Sequence, residues 1–201
     1  MSGPEQALRA RNLRTLFVLA GLFLLPLALA FFTYYGTSWR PAARVNHGTL
    51  ITPPRPLPPL QLPYETLGAS ARDGTPALRG VWSLLYVQEG ACGQSCQGAL
   101  YFMRQTRLAL NADMTRVERV LVVTGRCCER AELGRAYPGL VLIDAAGEAG
   151  AALRAALPAP DEHTVFVVDP LGNLMMSYDV RDNPRGLLED LKKLLRLSHI
   201  G

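Results

Sequence analysis

Between Leu16 and Phe32 the chain carries no charged side chain. A stretch that long and that apolar must be buried in a large core or placed in a bilayer. Extended to Thr15–Tyr35 it has 21 residues, and as a helix it would measure roughly 31 Å. That matches a hydrocarbon layer of about 30 Å. Arg9, Arg11 and Arg14 precede it, and Tyr34, Tyr35 and Trp39 follow at headgroup depth, with Arg40 and Arg44 beyond. Counted with the amino terminus, this bias puts the N-terminus in the cytoplasm and the rest outside. The expectation is a single-pass inner-membrane protein with a periplasmic C-terminal domain. A cleaved signal peptide is the rival, since Ala28-Leu29-Ala30 fits a small-x-small cleavage pattern. The apolar run continues through Phe31 and Phe32 into the aromatic belt, which favours an uncleaved anchor. Pro26 lies mid-span and has no assigned role.

The formal net charge of +4 in 201 residues is unevenly spread. Residues 1–60 hold six Arg against Glu5, whereas residues 61–201 hold 15 basic and 16 acidic side chains. The part that folds in water is therefore neutral, without the basic surplus that nucleic acid requires. No nucleic-acid partner is expected.

Residues 40–63 contain seven Pro, which reads as an extended, semi-rigid spacer. Packing of Leu50, Ile51 and Leu57 along a domain surface is the alternative. His47 lies here and reads as incidental. The division is 1–38 for the cytoplasmic end and membrane helix, 39–63 for the spacer and 64–201 for one α/β domain. In that domain Gly80–Gln88 reads as a buried strand and Ser95–Asn111 as a helix, with Ala99, Leu100, Met103 and Leu110 inward and Arg104 and Arg107 outward. Val117–Thr124 and Gly139–Asp144 read as strands, and Gly147–Leu157 as a helix ending at Pro158. Thr164–Asp169 and Leu174–Tyr178 flank a turn at Pro170-Leu171-Gly172-Asn173. The last helix has Asn183 as its cap, Pro184 in its first turn and one stripe of Leu187, Leu188, Leu191, Leu194 and Leu195. Lys192, Lys193 and Arg196 lie near its negative end, and His199 reads as a helix-end cation. Short connections and right-handed crossovers make the first two strands parallel. Strand–helix–strand, then hairpin, then helix is the chain order of a thioredoxin-like sandwich, in which the third core strand runs antiparallel to the first.

Cys92 and Cys96 lie between the first strand and the first helix. A thiol there faces the positive end of a helix, which favours the reactive thiolate. The spacing puts the two Cα atoms roughly 6 Å apart, so the pair can be a disulfide, a dithiol or two metal ligands. His163 precedes the hairpin, and chain reversal brings it to the same sheet edge. Two soft thiolates and one imidazole suit copper. Cys127 and Cys128 are adjacent, with Cα atoms ~3.8 Å apart, shorter than a relaxed disulfide prefers. They can resolve a disulfide at Cys92 or Cys96, supply a further thiolate, or simply pack.

These residues resemble the Sco family of cytochrome c oxidase assembly proteins, over roughly residues 78–198. The carriers are Trp82-Ser83-Leu84-Leu85-Tyr86, the Cys92 to Cys96 motif, and Glu162-His163-Thr164-Val165-Phe166-Val167-Val168-Asp169-Pro170-Leu171-Gly172-Asn173. The resemblance implies a membrane-anchored, thioredoxin-like protein with copper ligands at Cys92, Cys96 and His163, and a respiratory oxidase subunit as partner. Where the family has Pro after each Cys, this chain has Gly93 and Gln97. The anchor, the Asn46-x-Gly48-x-Leu50-Ile51 segment and the Pro-rich stretch also resemble small proteobacterial membrane proteins associated with cytochrome oxidase genes. Three functions follow as expectations: an oxidase assembly factor that carries copper or keeps cysteines reduced, a thiol–disulfide oxidoreductase acting on other exported thiol proteins, and a non-catalytic binding module.

Overall fold

The computed structural model describes residues 3–37, 46–59, 62–68, 77–159, 161–181, 183–198 and 200. Trp39, Arg40, Arg44 and His199 lie outside the described residues. The chain divides into two compact units, Met1–Val45 and Asn46–Gly201. In the first, residues 3–36 form one helix, α1 (Gly3–Gly36), which runs through Pro26. From Arg11 to Gly36 it is long and apolar enough to cross a membrane. Its large side chains, such as Leu16, Phe23 and Phe32, are exposed. A helix can do this in lipid because it satisfies its backbone polar groups internally.

The second unit is built on one sheet of seven strands. These are β1 (Thr49–Pro56), β2 (Tyr64–Leu67), β3 (Trp82–Gln88), β4 (Val117–Val123), β5 (Leu140–Asp144), β6 (Thr164–Val168) and β7 (Asn173–Asp179). Their order is β1-β7-β6-β3-β4-β5-β2. β3, β4 and β5 are parallel, and β6 runs antiparallel to β3, as the chain order predicts. The central strands are covered on both faces, which is why β3 is buried from Trp82 to Val87 and mostly apolar. Trp82, Leu84 and Tyr86 face one core with α2 (Gln94–Leu108) and α5 (Pro184–Leu197). Leu85 and Val87 face another, where Leu153 of α4 (Ala151–Ala156) packs. This is an α/β sandwich of thioredoxin-like architecture, in a chain that also carries an N-terminal apolar helix.

Several elements differ from the sequence reading. Residues 49–56 lie within the stretch read as a spacer, yet they pair with β7. Proline lacks a ladder donor, so a Pro-rich strand is tolerated only at an edge, and β1 is an edge. Leu57, just beyond it, is buried and donates its N–H to Gly172 O at 2.9 Å. α2 stops at Leu108, and a short 3-10 helix (Asn111–Arg116) leads into β4. Arg107 does not simply point outward: its Nε donates to Val117 O at 2.7 Å. The helix expected over 147–157 starts only at Ala151, because residues 147–150 form a turn. A further helix, α3 (Arg130–Ala136), was not read from the sequence.

α5 follows its reading closely. Asn183 caps it by accepting the Gly186 N–H at 2.9 Å, and Leu187, Leu191 and Leu195 are buried in the core shared with α2.

Candidate functional site

β3 ends at Gln88, whose amide donates to Glu89 O and Ala91 O, both at 3.0 Å. That folds the loop back before the helix begins. Gly93 takes the N-cap position, with no side-chain cap, and its carbonyl accepts from Gln97 N–H at 3.0 Å. Cys92 thus precedes α2 and Cys96 lies in its first turn. The two are joined as a disulfide, with Cα atoms 5.1 Å apart. Their environments differ: Cys96 is 1% exposed, whereas Cys92 is half-buried. α2 has no acidic residue of its own in its first turn; the one carboxylate bonded there is that of Glu162, from the loop before β6.

The loop before β6 is tied to this turn. The Tyr86 hydroxyl donates to Glu162 O at 2.8 Å, and the Ser95 hydroxyl to a Glu162 carboxylate oxygen at 3.2 Å. His163 N–H donates to Asp161 Oδ1 at 2.9 Å, and His163 O accepts from Val180 N–H at 2.9 Å. His163 lines a groove of about 320 Å³ with Gln94, Ser95, Gly98 and Phe102 of α2, and with Val180 and Arg181. Burial, then the charges of Glu162 and Asp161, push the Tyr86 hydroxyl up to about 12, so it stays a donor. The hydrogen bond from Arg181, with a smaller contribution from His163, holds the Asp179 carboxyl down at about 2. The sequence reading names Tyr86 and Glu162 only as carriers of the resemblance, and gives Ser95 and Gln88 no role. Their polar placement at strand ends and in the cysteine motif was the available signal.

As a disulfide, the sulfurs of Cys92 and Cys96 have no thiolate to offer a metal. Among the described residues no group of three or more His, Cys, Asp or Glu side chains is gathered for a metal ion.

Cys127 and Cys128 follow β4, in a loop held against the Cys92 loop because β3 and β4 are neighbours. Thr124 N–H donates to Gln88 O at 3.0 Å. The two are bonded to each other, and no free thiol remains among the described residues. They share a cavity of about 430 Å³ with Cys92, Gln97 and Tyr137. They also line a second cavity, of about 650 Å³, with Arg126, Arg130 and Asp144.

A family model described as "Transmembrane-like, thioredoxin-like, C-terminal domain" matches residues 82–198, more than half of the chain. The chain belongs to this family. Solved structures of similar fold include copper-bound ScoI of Bradyrhizobium japonicum, 16% identical with a TM-score of 0.41, covering 58% of this chain and 87% of the other. Copper-bound yeast Sco1 is 14% identical with a TM-score of 0.44, covering 59% and 78%. A protein of Bacteroides thetaiotaomicron described as a disulfide isomerase is 16% identical with a TM-score of 0.45, covering 74% and 94%. A comparison with curated protein sequences found no match.

Proposed function

We propose that this chain is a membrane-anchored thiol–disulfide protein whose Cys92–Cys96 pair cycles between disulfide and dithiol outside the cytoplasm. The observation that carries the reading is the unequal exposure of two bonded cysteines at the start of α2. In the dithiol form the Cys92 thiolate attacks a substrate disulfide and forms a mixed disulfide with one sulfur. The other substrate sulfur leaves as a thiolate. Cys96 then attacks Cys92, closes the internal disulfide and releases the second substrate sulfur. Burial of Cys96 keeps substrate from it and reserves it for this second step. The partner class is an exported thiol protein, and the Sco resemblance makes a respiratory oxidase subunit the first candidate. α1 would anchor the chain in the inner membrane, with the arginines at its start held in the cytoplasm. The reduced full chain in detergent should break a substrate disulfide while forming one Cys92–Cys96 disulfide. A chain with both thiols demonstrably free that leaves the substrate intact would remove the proposal.

One observation favours a second reading, copper carriage: His163 shares a groove with Ser95 and Gly98, in the turns that carry Cys96. The donor set fits only after reduction, when two soft thiolates and an imidazole become available. Cys92, Cys96 and His163 would then hold the ion, and copper would supply a centre that a partner's thiolate can enter. The reduced chain should bind about one copper, and His163→Ala should lose it, as measured by metal analysis after desalting. Undiminished copper in that variant would take His163 out of the ligand set.

A further inference from the structure

Two pairs of cysteines meet in one place. Cys92, Cys127 and Cys128 line the same cavity, of about 430 Å³. All three pack against the core that contains Cys96. Only the Cys127–Cys128 pair also faces the second cavity, of about 650 Å³, which Cys92 does not line. From this arrangement we infer that Cys127 and Cys128 form a second redox pair, which passes electrons from an external dithiol to the Cys92–Cys96 disulfide. This rests on the thiol–disulfide reading of Cys92 and Cys96.

The wider cavity is the entrance. An external dithiol can reach Cys127–Cys128 there without occupying the space in front of Cys92, so reductant and substrate do not compete. Arg126 and Arg130 line this entrance and bring positive charge to it. Glu129 lines both cavities and opposes them, and Arg130 is shared with Glu65 at 3.4 Å.

The exchange balances within the chain. The external dithiol reduces Cys127–Cys128 and leaves as its own disulfide. One thiolate of the reduced pair then attacks Cys92, the half-buried sulfur that faces the shared cavity. The Cys92–Cys96 bond breaks, and Cys96 departs as a thiolate and takes up a proton. The second thiolate of the pair attacks its neighbour, restores Cys127–Cys128 and releases Cys92. Two electrons and two protons have moved from one pair to the other.

A trap and a time course test this in the full chain in detergent. In Cys96→Ser/Cys127→Ser and Cys96→Ser/Cys128→Ser, only one long-range disulfide can form. Mild oxidation with diamide at high dilution should produce it in at least one variant. Trypsin would then link peptide 80–104 to peptide 127–130, a mass visible by spectrometry. Absence of that link in both variants, while Cys92 still reacts with a small disulfide probe, would overturn the relay and leave the parent reading intact. An unreactive Cys92 would instead remove the parent reading and the relay with it. For direction, limiting dithiothreitol added to the oxidised wild type should expose the thiols of peptide 127–130 before those of 80–104. In Cys127→Ser/Cys128→Ser, reduction of Cys92–Cys96 should slow at least about tenfold. Equal rates in both proteins would overturn the proposal.

Discussion

Cys92→Ser should lower disulfide exchange by at least about a hundredfold. A few per cent of even an ordinary thiol is ionised at neutral pH, whereas a serine hydroxyl is not ionised at all. The fold should survive, because Cys92 is half-buried at a loop end and its hydroxyl replacement can still meet water. Cys96→Ser should behave differently. Cys92 still attacks, but nothing at position 96 resolves the product, so a mixed disulfide with substrate accumulates and turnover stops after one event. The relay adds a refinement: in Cys96→Ser/Cys128→Ser part of the trapped material should be internal, joined to Cys127, because no second thiol of that pair is left to release it. Non-reducing electrophoresis with mass mapping distinguishes the two adducts. Equal loss in both variants with no trapped species would mean that the two cysteines do not act in sequence, and the assignment of attacker and resolver would fall.

The sequence made some of this legible and hid the rest, for physical reasons. The stripe at Leu187, Leu191 and Leu195 recurs at helical spacing, and burial follows from that spacing alone. The order of β3, α2, β4, β6, β7 and α5 could be read because each element is long or well bounded by turns. α3 has seven residues, too few for periodicity to show. β1 was hidden because its prolines imitate a spacer, and because its partner β7 lies far along the chain. At the site, the antiparallel run of β6 against β3 puts His163 in a groove with Gln94 and Ser95 of α2, a groove that neither Cys92 nor Cys96 lines. The hydrogen bond between Ser95 and Glu162 belongs to the tertiary structure and leaves no trace in either segment by itself. The union of Cys127 with Cys128 was also not expected, since adjacency argued against a relaxed bond, yet the structure joins them beside Cys92.

The largest stability effect is expected at Asp190, which lies far from any cysteine in sequence. Its carboxylate is only 4% exposed, and one oxygen, Oδ2, accepts three donors. These are the Tyr178 hydroxyl at 2.7 Å, His47 N–H at 2.7 Å and Gly48 N–H at 3.2 Å. Lys193 stands 4.0 Å from the other oxygen, and the His47 ring pairs with Glu189 at 2.8 Å. The segment before β1 is thereby fastened to α5 and β7. Gly48 is required there because a Cβ would fall on the Tyr178 ring, which accounts for a glycine in the Asn46-x-Gly48 segment. Burial, and then the bond to Asp190, raise the Tyr178 hydroxyl far above its ordinary range, so it remains a donor. Asp190→Ala strands all three donors, each costing about 1–3 kcal/mol where water cannot replace the acceptor. Water can reach the partly exposed backbone groups, so a net loss of about 3–5 kcal/mol is expected. That is a large share of the 5–15 kcal/mol typical of a domain. Tyr178→Phe leaves the carboxylate with its two backbone donors and should cost about 1–2 kcal/mol. Chemical denaturation of both variants checks the ranking, and a loss below about 1 kcal/mol in Asp190→Ala would show that the carboxylate is not what holds the segment. Because Leu187 and Leu191 of the same helix pack in the core that holds Cys96, loosening α5 should also expose Cys96 to alkylation once the disulfide is reduced. That would erase the asymmetry between the two thiols without touching either one.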